Sequence, residues 1–156
     1  MLSSGLVGVS SREAGLERIR RERARRGLIA FSEYVSPWYR AAAHHRLIAE
    51  YLEQVKLFIK TRGRQGIGRL MTFAPPRHGK SEQVSIKFPS FCLGDMPDIR
   101  VILTSYGADL AHANSRQVRD TVTSERFGAV FGAKSALDEP VEMAEDSRSA
   151  KAWDLA

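Results

Sequence analysis

The chain has 156 residues, an apolar fraction of 43% and a formal charge of +6. That length suits one ordinary domain burying roughly 70% of its unfolded surface, and no uninterrupted apolar stretch approaches the roughly 20 residues of a membrane span. The opening Met1-Leu2-Ser3-Ser4-Gly5-Leu6-Val7-Gly8-Val9 lacks a positive n-region followed by a long apolar core, so no signal peptide is expected. Cys92 is the sole cysteine, which excludes an internal disulfide and fits a reducing compartment such as the cytoplasm.

The charge is uneven. Residues 1–30 carry seven Arg against three Glu, and the remainder carries 17 basic against 15 acidic residues. Between Asp138 and Ala156 stand six acids and only Arg148 and Lys151 as bases. A basic front suggests a polyanion such as nucleic acid as partner; a solvated helical arm is the alternative reading.

In chain order, Ser11 to Arg26 combines strong helix formers with a thin apolar stripe (Leu16, Ile19, Ala24), and Gly27 is a natural end. Leu28-Ile29-Ala30-Phe31 opens the ordered region, and Pro37-Trp38-Tyr39 reads as a turn. Ala41 to Thr61 is the strongest helix, with Ile48, Tyr51, Leu52, Val55, Phe58 and Ile59 at spacings of three and four. A glycine-rich connector, 62–68, leads to a strand at 69–73. A loop and a helix over about 81–88 follow, and Pro89 is expected to kink or end that helix. Arg100 to Ser105 has the near-continuous apolar character of a buried parallel strand. Asp109 to Val122 predicts a helix burying Leu110, Ala113, Val118 and Val122, and Glu125 to Phe131 is apolar enough to dock. Irregular chain is expected from Gly132 onward.

This order implies an α/β fold, a partial P-loop NTPase-type parallel sheet with flanking helices, preceded by a basic helical arm. The expected divisions are a basic arm at 1–27, an incomplete P-loop ATPase subdomain at 28–131 that lacks a Walker B strand, and an irregular acidic tail at 132–156.

Residues 74–81, Ala-Pro-Pro-Arg-His-Gly-Lys-Ser, stand between the strand and the helix, as a phosphate-cradling loop does. Gly79 admits a phosphate close to the backbone. Lys80 can reach the β and γ phosphates, Ser81 can offer its hydroxyl to Mg²⁺, and the helix start adds N–H groups and a positive dipole end. Ala74 stands where the Walker pattern has its first glycine. Arg77 either adds charge near the γ-phosphate or is a solvated loop residue; His78 reads as a loop filler. His44 and His45, about 100° apart on a helix, do not easily share a metal ion; one of them can line a base pocket. No apolar strand after Ser81 ends in Asp or Glu, so the acid that orients an attacking water is missing.

Several segments together resemble the N-terminal ATPase region of the bacteriophage terminase large subunit family: His44-His45-Arg46-Leu47-Ile48; Arg69-Leu70-Met71 leading to Pro75-Pro76-Arg77-His78-Gly79-Lys80-Ser81-Glu82; Phe88-Pro89 with Leu93-Gly94; and Thr104-Ser105-Tyr106 with Leu110-Ala111, Ser115 and Val118-Arg119. The likeness spans residues 30 to 131, and Ala74 is ordinary for such loops. It implies ATP and Mg²⁺ as cofactors, with Pro75, Pro76, Arg77, His78, Gly79, Lys80, Ser81 and Glu82 around the phosphates and His45 near the adenine. Lys80 and Ser81 would hold the phosphates and the metal, and Arg77 would be linked to hydrolysis or coupling. It also implies double-stranded DNA, a small terminase subunit and a portal ring as partners, oligomerisation on the portal, and a phage- or prophage-encoded protein in a bacterial cytoplasm. The Walker B strand and the nuclease domain would lie beyond Ala156, so the expectation is a truncated subunit that binds ATP and hydrolyses little of it. The alternatives are a non-catalytic nucleic-acid-binding protein that uses the basic arm, or a fragment of another P-loop NTPase.

Overall fold

In a computed structural model, residues 11–132 are described, and they form a helical body. The helices are α1 (Ser11–Arg26), α2 (Leu28–Val35), α3 (Ala43–Lys60), α4 (Phe88–Asp95), α5 (Ala108–Val122) and α6 (Glu125–Phe131), with a π-helical segment, Glu82–Lys87, leading directly into α4.

Helix α1 begins and ends where the sequence places it. Four-residue pairs brace it, Glu17 to Arg21 at 3.0 Å and Glu22 to Arg26 at 2.7 Å. Its apolar stripe docks only in part: Ala24 is fully buried, whereas Leu16 and Ile19 are 48% and 50% exposed. Polar ties do the rest. The Tyr34 hydroxyl of α2 donates to Glu17 Oε1 at 2.5 Å, and Arg25 Nε donates to the Val130 carbonyl of α6. The Glu53 carboxylate of α3 accepts from the Leu28 N–H at 2.8 Å, satisfying an orphan donor at the start of α2.

Four phenylalanines, Phe31, Phe91, Phe127 and Phe131, make the centre of the core. Their ring centroids are 5.1 to 6.3 Å apart in tilted and edge-on arrangements. Leu28, Leu52, Ile86, Val118, Val122 and Val130 close around them. Gly94 is required here, since a Cβ on it would stand 2.3 Å from the Phe131 ring. The acid at the end of α4, Asp95, bridges Lys56 at 3.3 Å and Lys60 at 2.8 Å, pinning α4 to α3.

The expected parallel sheet is not formed: among the described residues there is no strand. Residues 69–73 and 100–105 are extended in no ladder, so the α/β fold class is corrected to an all-helical one. Leu70 and Leu103 lean on the helical core, while Met71, Phe73 and Ile102 are 79%, 84% and 85% exposed. The apolar, β-branched composition favours extended chain, but a strand is stable only against partners. Here the aromatic core is closed by helices instead.

Two smaller expectations also change. Pro89 does not end the helix, which runs on to Asp95. A proline ring clashes with the carbonyl four residues earlier in α geometry. The turn before it is widened to π winding, with the Phe88 N–H bonded to the Gln83 carbonyl, and this accommodates the proline. Leu110 is 43% exposed, whereas Val118 and Val122 are buried. The acidic tail expected at 132–156 lies, from residue 133, outside the described residues. No helix among the described residues is long and apolar enough to cross a membrane.

Candidate phosphate-binding loop

The 74–81 segment forms an exposed loop that feeds the helix beginning at Lys80. Two residues there take left-handed backbone conformations, Arg77 with φ 62° and Gly79 with φ 73°. Glycine adopts such a φ without strain. Space makes the same demand at Gly79, since a Cβ there would lie 2.5 Å from His45 Nε2.

The loop is fastened to the start of α3. His45 Nδ1 lies 3.1 Å from the Ala42 N–H and accepts from it. The proton of the neutral ring therefore sits on Nε2, which donates to the His78 carbonyl at 2.9 Å. His44 Nε2 reaches the same oxygen at 3.1 Å, using its second lone pair. The two imidazoles stand 4.0 Å apart by their centroids, and Tyr39 packs 5.6 Å from His45. His78 turns its own Nδ1 toward the Pro76 carbonyl, at 2.8 Å, which tightens the loop from within.

Gln83 completes the frame. It is fully buried, and its Nε2 donates to the His45 carbonyl at 2.7 Å. Its backbone N–H bonds to the Gly79 carbonyl at 3.0 Å. One residue of the following helix thus holds both the loop and the helix that fastens the loop.

Beneath the loop, buried Lys87 donates to Ser36 Oγ at 2.7 Å and pairs with Glu82 at 3.1 Å. The Tyr39 hydroxyl is pushed up to about 12, first by burial and then by the charges of Glu82 and Glu33.

The outward-facing groups are of a different kind. Among the described residues Arg77, Lys80 and Ser81 make no side-chain hydrogen bond or ion pair. Arg77 and Ser81 are exposed and Lys80 half-buried. They surround the first turn of a helix, whose N–H groups have no partner within it. Pro75 and Pro76 are exposed and only stiffen the approach. Glu82 is engaged by Lys87 and so faces away from a phosphate role. His45, expected beside a base, instead holds the His78 carbonyl. The parts of the site that the sequence did not reveal are Gln83 and the shared carbonyl; the adjacency of two histidines was their one visible trace.

Comparisons of the chain with models of protein families, with curated proteins and with solved structures gave no match.

Proposed function

We propose that the 74–81 loop binds the phosphates of ATP with Mg²⁺, and that the chain is an ATP-binding part of a viral DNA-packaging motor of the terminase large-subunit kind. The observation that carries the binding reading is the fastened loop. Its His78 carbonyl is turned inward and held by two histidines, so Gly79, Lys80 and Ser81 present N–H groups, an ammonium and a hydroxyl in one direction. A preformed nest of this kind, with a helix N-terminus behind it, suits a multiply charged phosphate. It does so without a sheet.

The residues fit the cofactor in a limited way. Lys80 and Arg77 would neutralise phosphate oxygens, and Ser81 would supply one hydroxyl to Mg²⁺. The metal would draw its other ligands from phosphate and water, because no group of three or more His, Cys, Asp or Glu that could hold a metal occurs among the described residues. When bound, Mg²⁺ would offset charge on the triphosphate. The chain's own part is to bind and orient; hydrolysis is expected to be slow. Double-stranded DNA, a small terminase subunit and a portal ring are the partners this reading proposes, in a bacterial host's cytoplasm.

Titration with a fluorescent ATP analogue, with and without Mg²⁺, tests the reading. Lys80→Ala should weaken binding by tenfold or more while leaving thermal stability unchanged. Equal affinity of both proteins would overturn it. Rapid turnover lost in Lys80→Ala would refute the slow-hydrolysis part.

A further inference from the structure

Helices α1, α2 and α6 enclose a cleft of about 870 Å³ on the opposite chemical footing from the core. Arg20 and Arg23 of α1, Arg40, and Arg126 of α6 line it, together with Glu33 and Glu125. None of these four arginines lies within 4.0 Å of a carboxylate among the described residues. Glu17, also in the lining, is already taken by the Tyr34 hydroxyl and Arg21. Two of the guanidinia are held in place by backbone carbonyls. Arg40 Nη1 donates to Pro37 and Tyr39 at 2.6 and 3.1 Å, and Arg126 Nη1 donates to Tyr34 at 2.9 Å. A guanidinium has five N–H donors, so these bonds orient the group and leave most of its donors facing the cleft.

The chain itself contains a complement. Residues 138–156 carry Asp138, Glu139, Glu142, Glu145, Asp146 and Asp154 against Arg148 and Lys151. The described structure ends at Gly132, three residues after Ala129, which lines the cleft. The five residues 133–137 can span up to about 17 Å, so the first acids are within reach of the arginines. Carboxylates match the guanidinium fork, and a tethered segment meets the cleft at high effective concentration.

We propose that the acidic segment 138–156 of this same chain docks in the arginine-lined cleft between α1, α2 and α6 and screens those arginines from other polyanions. The occupant follows from charge, tether length and the point at which α6 ends, and it is independent of the phosphate-loop reading.

The test uses the full chain with spin labels on Leu16→Cys and Ala144→Cys. Native Cys92 is buried, with its thiol pushed up to about 12 chiefly by burial, and stays unlabelled. Pulsed dipolar spectroscopy at low salt should give a short-distance component, lost at 1 M salt. R23Q/R126Q should abolish it. Because Arg126 also braces α2, the tail variant E142Q/E145Q/D146N, which leaves every described side chain intact, should abolish it too. A distance distribution that is the same in the labelled wild type and the tail variant would overturn the proposal. So would a short component that disappears on dilution with unlabelled protein, which would place the tail on a neighbouring chain. In the predicted case, inorganic polyphosphate binds the tail variant at least several-fold more tightly than it binds the wild type.

Discussion

Nε2 of His45 lies 2.9 Å from the His78 carbonyl oxygen, and this contact joins the start of α3 to the loop at 74–81. His45→Ala removes the bond and leaves His44 as the lone ring on that oxygen. The expected cost is about 1 kcal/mol of stability, read by denaturant unfolding. Nucleotide affinity should fall as well, by roughly tenfold, since the loop must then be ordered on binding. Lys80→Ala separates the two effects, because that side chain is expected to matter for affinity alone.

Gly94 and Phe131 are matched in shape. Gly94→Ala should destabilise by about 1–3 kcal/mol through overpacking. Adding Phe131→Leu should recover part of that loss, as expected for residues in contact. Strict additivity in a thermal-unfolding cycle would contradict the contact.

Asp95 makes stability depend on acid pH. Burial alone would raise its carboxyl, but the hydrogen bond from Lys60 and the charges of Lys56 and Lys60 outweigh burial and hold it below its ordinary 3.8. The unfolded chain then takes up this proton at a higher pH than the folded one. The contribution is therefore full above about pH 4 and is lost as pH falls through the lower folded value. Asp95→Asn should be less stable at pH 7 and should lose less stability between pH 5 and 2, measured by urea midpoints.

The extended run at 69–73 holds Phe73 84% exposed. Phe73→Ser should change stability by no more than about 0.5 kcal/mol. It should also reduce binding of an apolar dye and self-association in sedimentation, because a large exposed apolar ring is removed. A loss of several kcal/mol would show the ring to be buried in solution.

The sequence revealed the helices better than the way they come together. Arg- and Glu-rich runs braced at four-residue spacing marked α1, and Gly27 its end. Spacings of three and four marked α3 and α5, and Ser124 capped α6 through its bond from the Phe127 N–H. Runs such as Arg100 to Ser105 signal extended chain but say nothing about whether a neighbour strand is at hand, so the sheet was misread. In the candidate site, Gly79, Lys80 and Ser81 were visible as a motif. Gln83 was not, because a buried glutamine in a helix has no pattern until its amide partner is known.

The π-helical segment carries one more consequence. Glu82 and Lys87 are five residues apart, which in α winding puts them about 140° apart around the axis. They nevertheless pair at 3.1 Å, because the wider turn brings them onto one side. The turn thus acts as a phase shifter, a one-residue insertion absorbed without disturbing either flank. Deleting Val84 or Ser85 would restore ordinary winding, turn the pair into a four-residue neighbour and leave the register of the phenylalanine side of α4 intact, so this stretch is where the helix can best lose a residue.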